Sequence, residues 1–112
     1  MLLATPEYNN SIPGVLKNAI DWLSRPASDI KRIFGGKPVA LMGASAGPFG
    51  TILSQNAWIS VLRALGTNPW YGGRLFVSRA HTIFDENGKM TDENVRKQLL
   101  QFLHGFFEFV HK

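Results

Sequence analysis

The feature that most constrains this chain is a repeated succession. A short apolar run is stopped by proline or glycine, and a segment with apolar residues at helical spacing follows. Residues 1–5 are such a run, halted at Pro6 in the manner of a buried strand. Over residues 13–24, Val15, Leu16, Ala19, Ile20 and Leu23 recur with helical period, separated by Lys17, Asn18 and Asp21. Ser11 stands where it can cap that helix, Pro13 suits its first turn, and Arg25-Pro26 ends it, because a residue preceding proline is pushed out of the helical region.

The succession then repeats. Gly35-Gly36 punctuates, residues 38–43 read as a strand buried on both faces, and a glycine-rich turn fills 43–50. A helix is predicted over 51–65, with Ile52, Leu53, Ile59, Leu62 and Leu65 inward and Gly66 as its stop. A third strand is expected within 74–78, and Asp85 to Gly88 is a turn signal. Thr91 is expected to cap a last helix whose first turn holds Asp92 and Glu93, favoured there by the helix dipole. Its inner stripe is Val95, Leu99, Phe102, Leu103, Phe106 and Val110. Strands alternating with helices imply an α/β fold: a doubly wound parallel sheet in three αβα layers, with about three strands and three helices. Ligands of such sheets sit beyond the carboxyl ends of the strands, so the loops at 5–13 and 43–50 are where chemistry is expected.

Composition narrows the function classes. The 112 residues, 45% hydrophobic, suit one domain spanning residues 1–112 and not a disordered chain. No apolar run approaches the ~20 residues that cross a bilayer, and no secretory leader is visible, so no membrane partner is expected. Cysteine is absent, which excludes thiol catalysis and thiolate metal sites and accords with a cytoplasmic setting. The net charge of +4 is spread along the chain, without the basic and aromatic interleaving of single-strand binders, so no nucleic-acid partner is expected. His81, His104 and His111 lack metal-ligand spacing, and no metal site is expected. Trp58, Trp70 and Tyr71 read as core packing before they read as a ligand shield. Arg74 and Arg79 read as solvated cations before they read as contacts to a nicotinamide phosphate.

The first loop, Thr5-Pro-Glu-Tyr-Asn-Asn-Ser-Ile-Pro-Gly14, joins two stiffening prolines to an aromatic ring and to backbone amides. That combination suits a flat ligand with polar edges; the alternative is a capped turn whose Asn and Ser side chains serve their own backbone. In the second loop Gly43, Gly47 and Gly50 leave room for a backbone to approach a ligand. The spacing is neither a dinucleotide fingerprint nor a P-loop.

The string from Thr5 through Tyr8-Asn-Asn-Ser, Pro13-Gly and Lys17-Asn-Ala-Ile-Asp-Trp-Leu-Ser-Arg25 closely resembles the signature of the NAD(P)H-dependent FMN reductases, the group of quinone, chromate and azo-dye reductases. The resemblance continues through Gly36-Lys-Pro-Val, the Ser45-x-Gly47 loop and the closing helix. It implies a flavodoxin-like fold and an FMN-dependent oxidoreductase that passes hydride from NADPH or NADH through the flavin to a small-molecule electron acceptor such as a quinone. No side chain would act as nucleophile or general base. Pro6, Glu7, Tyr8 and Asn9 would line the isoalloxazine ring, and Ser45 and Gly47 would approach its pyrimidine edge. Lys17, Asn18 and Asp21 resemble helix-packing or subunit-contact positions, and the family implies a homodimer or homotetramer.

The sequence departs from the family in two ways. The family's Gly-Ser-x-Arg-x-x-Ser loop, which cradles the FMN phosphate, is not among these residues, and the expected fold is N-terminally truncated by roughly two βα units. Gly50-Thr51 also stands where many relatives have two glycines. The alternative function is therefore a non-catalytic flavodoxin-like fragment that needs its N-terminal half or a partner chain.

Overall fold

The structure, a computed structural model, describes residues 1–112. In chain order it comprises β1 (Leu2–Ala4), α1 (Gly14–Leu23), α2 (Ile30–Phe34), β2 (Pro38–Ala44), α3 (Ile52–Ala64), β3 (Asn68–Pro69), β4 (Phe76–Val77) and α4 (Glu93–Val110). All strand pairs are parallel. On one side β2 meets β1, with Leu2, Leu3 and Ala4 opposite Ala40, Leu41 and Met42; on the other it meets β3 and β4. The third strand is thus an edge strand broken in two. The offset between partners grows from 30 residues (Asn68 opposite Pro38) to 33 (Phe76 opposite Gly43), so three extra residues bulge out between β3 and β4. Pro69 hid the first half from the sequence reading, and an edge strand is where a sheet tolerates proline.

Alternation along β2 builds the layers. Val39 and Leu41 turn to one face, where they join Leu3, Ile20 of α1, Phe34 of α2, and Trp58, Leu62 and Leu65 of α3. Ala40 and Met42 turn to the other, against Leu75 and against Phe102 and Phe106 of α4. The three αβα layers expected from the sequence follow directly. Full burial of a residue such as Phe34, 2% exposed, contributes about 1.5–3 kcal/mol.

Local details differ from expectation. Ser11 caps nothing, because it lies two residues before the N-cap, which Pro13 occupies without a side-chain bond; its N–H and carbonyl both engage Tyr8 in a reverse turn. Asp92, not Thr91, caps α4 by accepting the Val95 N–H at 2.9 Å; Thr91 instead docks on the Ile83 carbonyl through its amide and its hydroxyl. Of the stripe assigned to α1, Ile20 is buried and Leu16 packs on the core, whereas Val15 is 74% exposed and Leu23 51%. Leu53 and Ile59 of α3 and Val110 of α4 are exposed as well, since the contacts of α3 run through Ser54, Gln55, Trp58 and Leu62. Gly66, at φ +71°, ends α3 as expected.

Gly43 carries a strict requirement. A Cβ there would collide with the Thr51 hydroxyl and the Thr5 carbonyl, and would lie 2.9 Å from the Thr51 Cβ. Gly43→Ala is therefore expected to lower stability by about 1–3 kcal/mol in urea denaturation. Gly14→Ala, with open space around it, should leave the midpoint unchanged or raise it slightly.

Candidate functional site

The loops after β1 and β2 leave the sheet side by side. The Thr5 N–H donates to the Met42 carbonyl at 2.9 Å, extending the β1–β2 ladder to the mouth of both loops. Since the strands are parallel, both loops emerge at the carboxyl end, the place expected for a ligand.

The second loop is clamped from the side of β4. The Ser45 N–H donates to the Val77 carbonyl at 2.9 Å, while the Ser45 and Gly47 carbonyls accept from the amides of Ala80 (2.9 Å) and Arg79 (3.0 Å). Thr51 closes the loop at φ +70°, in the left-handed region that glycine enters freely and a β-branched residue does not. Fully buried, it is held there by Gln55, whose side-chain amide donates to the Thr51 hydroxyl and to the Leu75 carbonyl, both at 3.0 Å. Here the glycine pair of the resembled family is replaced by a threonine with a dedicated partner.

The first loop is stiffened by a turn. Tyr8 and Ser11 exchange backbone hydrogen bonds of 3.1 Å, and the central residues Asn9 and Asn10 both have positive φ (51° and 63°), as a type I′ turn requires. This accounts for the Asn-Asn pair, whose residue type tolerates the left-handed conformation. Tyr8 is 53% exposed, and Pro6 and Asn9 are exposed. Glu7 is half-buried, and one of its carboxylate oxygens lies buried without a hydrogen-bond partner.

Several loop amides have no acceptor within the chain, among them those of Glu7, Ala46 and Gly47. Of the sequence-predicted site residues, Pro6, Glu7, Tyr8 and Asn9 lie on the first loop, and Ser45 and Gly47 on its neighbour. Neither loop contains a lysine, arginine or histidine. Such an arrangement can take a flat ring by its edges and offer donors to its acceptors; it presents no nucleophile paired with a base.

The glycine argument needs correction. Gly43 makes room for Thr5 and Thr51, and Gly50, at φ +55°, for the backbone of Phe76 and Val77, 2.6 Å from where its Cβ would stand. Of the three glycines of the second loop, only Gly47 faces open space. Arg79 anchors the second loop through its backbone, whereas Arg74 lines a concavity of about 460 Å³ between the broken edge strand and α4, away from the loops. Lys17 and Asp21 pair with each other at 2.9 Å on the surface of α1, and Trp58 is fully buried core. Sequence reasoning missed Thr5, Ser54 and Gln55 as supports. For Ser54 and Gln55 the signal was present, as polar side chains on the inward face of α3.

Comparison with known proteins agrees with this geometry. Residues 1–82 match the family profile described as NADPH-dependent FMN reductase. An NAD(P)H-dependent FMN reductase of Pseudomonas aeruginosa is 42% identical over 112 residues, covering 100% of this chain and 59% of its own length. A 2-hydroxy-1,4-benzoquinone reductase of a Burkholderia species is 37% identical over 110 residues, covering 98% of this chain and 59% of its own. Among solved structures, FerB of Paracoccus denitrificans, a flavoenzyme NAD(P)H:(acceptor) oxidoreductase, superposes with a TM-score of 0.85 at 34% identity, over 98% of this chain and 59% of FerB. The chain thus spans about three-fifths of the length of these relatives. With the profile match over most of its residues and both loops in place at the ends of adjacent parallel strands, the chain belongs to the NADPH-dependent FMN reductase family and has its flavodoxin-like fold.

Proposed function

We propose that the chain forms the ring-binding part of an FMN-dependent NAD(P)H oxidoreductase that reduces quinones or similar small acceptors. The observation that carries this reading is the pair of adjacent loops presenting the unpartnered amides of Glu7, Ala46 and Gly47 beside the exposed Tyr8 ring. The donors suit the carbonyls and ring nitrogens along one edge of an isoalloxazine. The fit is to the ring and not to the phosphate, since neither loop carries a cation. Pro6, Glu7, Tyr8 and Asn9 would line the ring, with Ser45 and Gly47 at its pyrimidine edge.

When bound, FMN supplies the hydride chemistry, accepting from NADPH or NADH and yielding to the acceptor. The chain's own part is to hold the ring, leave one face open, and stabilise charge on the pyrimidine half through fixed amides. Cytoplasmic residence belongs to the same reading, because reduced nicotinamides are supplied there.

The α1 surface supports a homodimer or homotetramer. Val15, Ala19 and Trp22 are separated by four and three residues and form an outward stripe; Val15 and Trp22 are each 74% exposed, with Leu23 alongside. A second reading has its own support: the outer edge of β1 is unpaired and Leu2 is 42% exposed. On that reading the chain is a non-catalytic fragment, completed only by further residues or a partner chain.

Titration with FMN tests the primary reading. Quenching of flavin fluorescence, with flavin-dependent oxidation of NADPH by an added quinone, is the expected result; no quenching and no turnover would leave the fragment reading. Gly47→Leu should weaken FMN binding by tenfold or more without moving the urea midpoint, because the position is open in the free chain and would be crowded by the ring. Sedimentation of Trp22→Glu should show a smaller species than wild type with unchanged helical circular dichroism.

A further inference from the structure

Thr5 is 1% exposed, and its hydroxyl oxygen has three polar neighbours: the Pro6 carbonyl at 2.9 Å, the Ser54 hydroxyl at 2.9 Å and the Trp58 indole nitrogen at 3.0 Å. Ser54 and Trp58 are fully buried, so their bonds to Thr5 are shielded from water, and the Thr5–Pro6 hydrogen bond is shielded in part. A hydroxyl has one proton to give and two lone pairs to receive with. The indole N–H only donates and the carbonyl only accepts. Thr5 therefore spends its proton on Pro6, and Ser54 must donate to Thr5. Only this direction satisfies all the groups, and it occupies every valence of the Thr5 hydroxyl.

The consequence lies one peptide further on. The Pro6–Glu7 bond is trans, as the sole cis bond of the chain precedes Pro26. In a trans peptide the carbonyl and the amide N–H point in opposite directions. Tying the Pro6 carbonyl inward to Thr5 therefore turns the Glu7 N–H outward, and that amide has no acceptor in the chain.

We infer that Thr5, Ser54 and Trp58 are positioning residues that lock the Pro6–Glu7 peptide plane and hold the Glu7 N–H as a preset donor to the edge of the flavin ring. The inference rests on the flavin reading for the identity of the ring; the lock itself concerns the free chain. Without the tether the plane can rotate by compensating changes on its two sides. A rotation presents the Pro6 carbonyl oxygen to the ring, where it repels the ring's own carbonyls. The relay removes that alternative before binding, so the ordering cost is met by the fold. Trp58 reaches Thr5 from the middle of α3, which ties the first loop to the helix that follows the second.

The test compares wild type with Thr5→Val, which keeps the shape and loses the hydroxyl, and with Thr5→Ser, which keeps the hydroxyl. Amide NMR of the ¹⁵N-labelled chain without flavin should show one sharp Glu7 resonance in wild type and Thr5→Ser. In Thr5→Val it should be shifted and broadened by exchange. FMN should bind Thr5→Val about tenfold more weakly, the worth of one such hydrogen bond, and the bound flavin should have a lower reduction potential. Thr5→Ser should restore both. If Thr5→Val fails to fold by circular dichroism, Thr5→Ala, which needs no extra room, takes its place. An unchanged Glu7 resonance in the hydroxyl-less variant overturns the lock, whatever the flavin does. Equal FMN affinity and potential in Thr5→Val and wild type overturn its role at the ring. Wild type that ignores FMN while its Glu7 amide responds to Thr5→Val overturns the flavin reading alone.

Discussion

The site depends on how closely the ends of β1 and β2 approach. At Gly43 the missing side chain leaves the space into which both the Thr5 carbonyl and the Thr51 hydroxyl close on β2. A methyl group there would push the first loop from the second or displace the start of α3. Because both loops and the helix converge on one residue, their relative placement is set by packing at close range, where small displacements are resisted steeply. Loops, in general the most variable part of an α/β domain, are here tied at their bases to its core.

Around that contact the chain arranges polar support in two buried sets. Thr5, Ser54 and Trp58 serve the first loop; Thr51 and Gln55 serve the second and reach β4 through Leu75. No side-chain atom of either set is buried without a partner, which matters because an unmatched buried polar group costs about 1–3 kcal/mol. Both sets spring from α3, on its inward face. This helix is therefore less apolar on that face than its place against the sheet suggests, and its polar residues hold the loops where an aliphatic face would only fill space. The left-handed Thr51 shows the same division of labour: the strain of a β-branched residue at positive φ is offset by the hydrogen bond from Gln55.

Much of this was legible beforehand. The apolar runs at 1–5 and 38–43 gave strands, the periodic segments gave helices, and the proline and glycine stops gave the loops and their common end of the sheet. What escaped depends on tertiary partners. Ser11 falls short of the helix cap because the turn it closes with Tyr8, with Asn9 and Asn10 at positive φ, leaves Pro13 as the N-cap. Whether Gly43 and Gly50 serve a ligand or the chain itself depends on what stands opposite, which a one-dimensional pattern does not carry. The first half of the broken edge strand escaped because it is two residues long and contains proline, whereas the second half lies within the 74–78 expected. The outer apolar stripe of α1 merged with the inner one, since Val15, Leu16, Ala19, Ile20, Trp22 and Leu23 together cover most of the helix circumference.

A site made of backbone amides places an unusual demand on the fold. Side chains adjust their rotamers to a ligand, whereas an amide N–H moves only when its peptide plane moves, and the plane is shared with a carbonyl pointing the opposite way. To present a donor reliably, the chain must therefore secure the carbonyl on the far side. This principle unites the two loops. The Pro6 carbonyl is held by Thr5, which turns out the Glu7 amide; the Ser45 carbonyl is held by the Ala80 amide, which turns out that of Ala46. Both free donors are thus the reverse sides of anchored acceptors. On the flavin reading proposed above, recognition at this end of the sheet would rest in part on Thr5, Ser54 and Trp58, which are buried away from the ring.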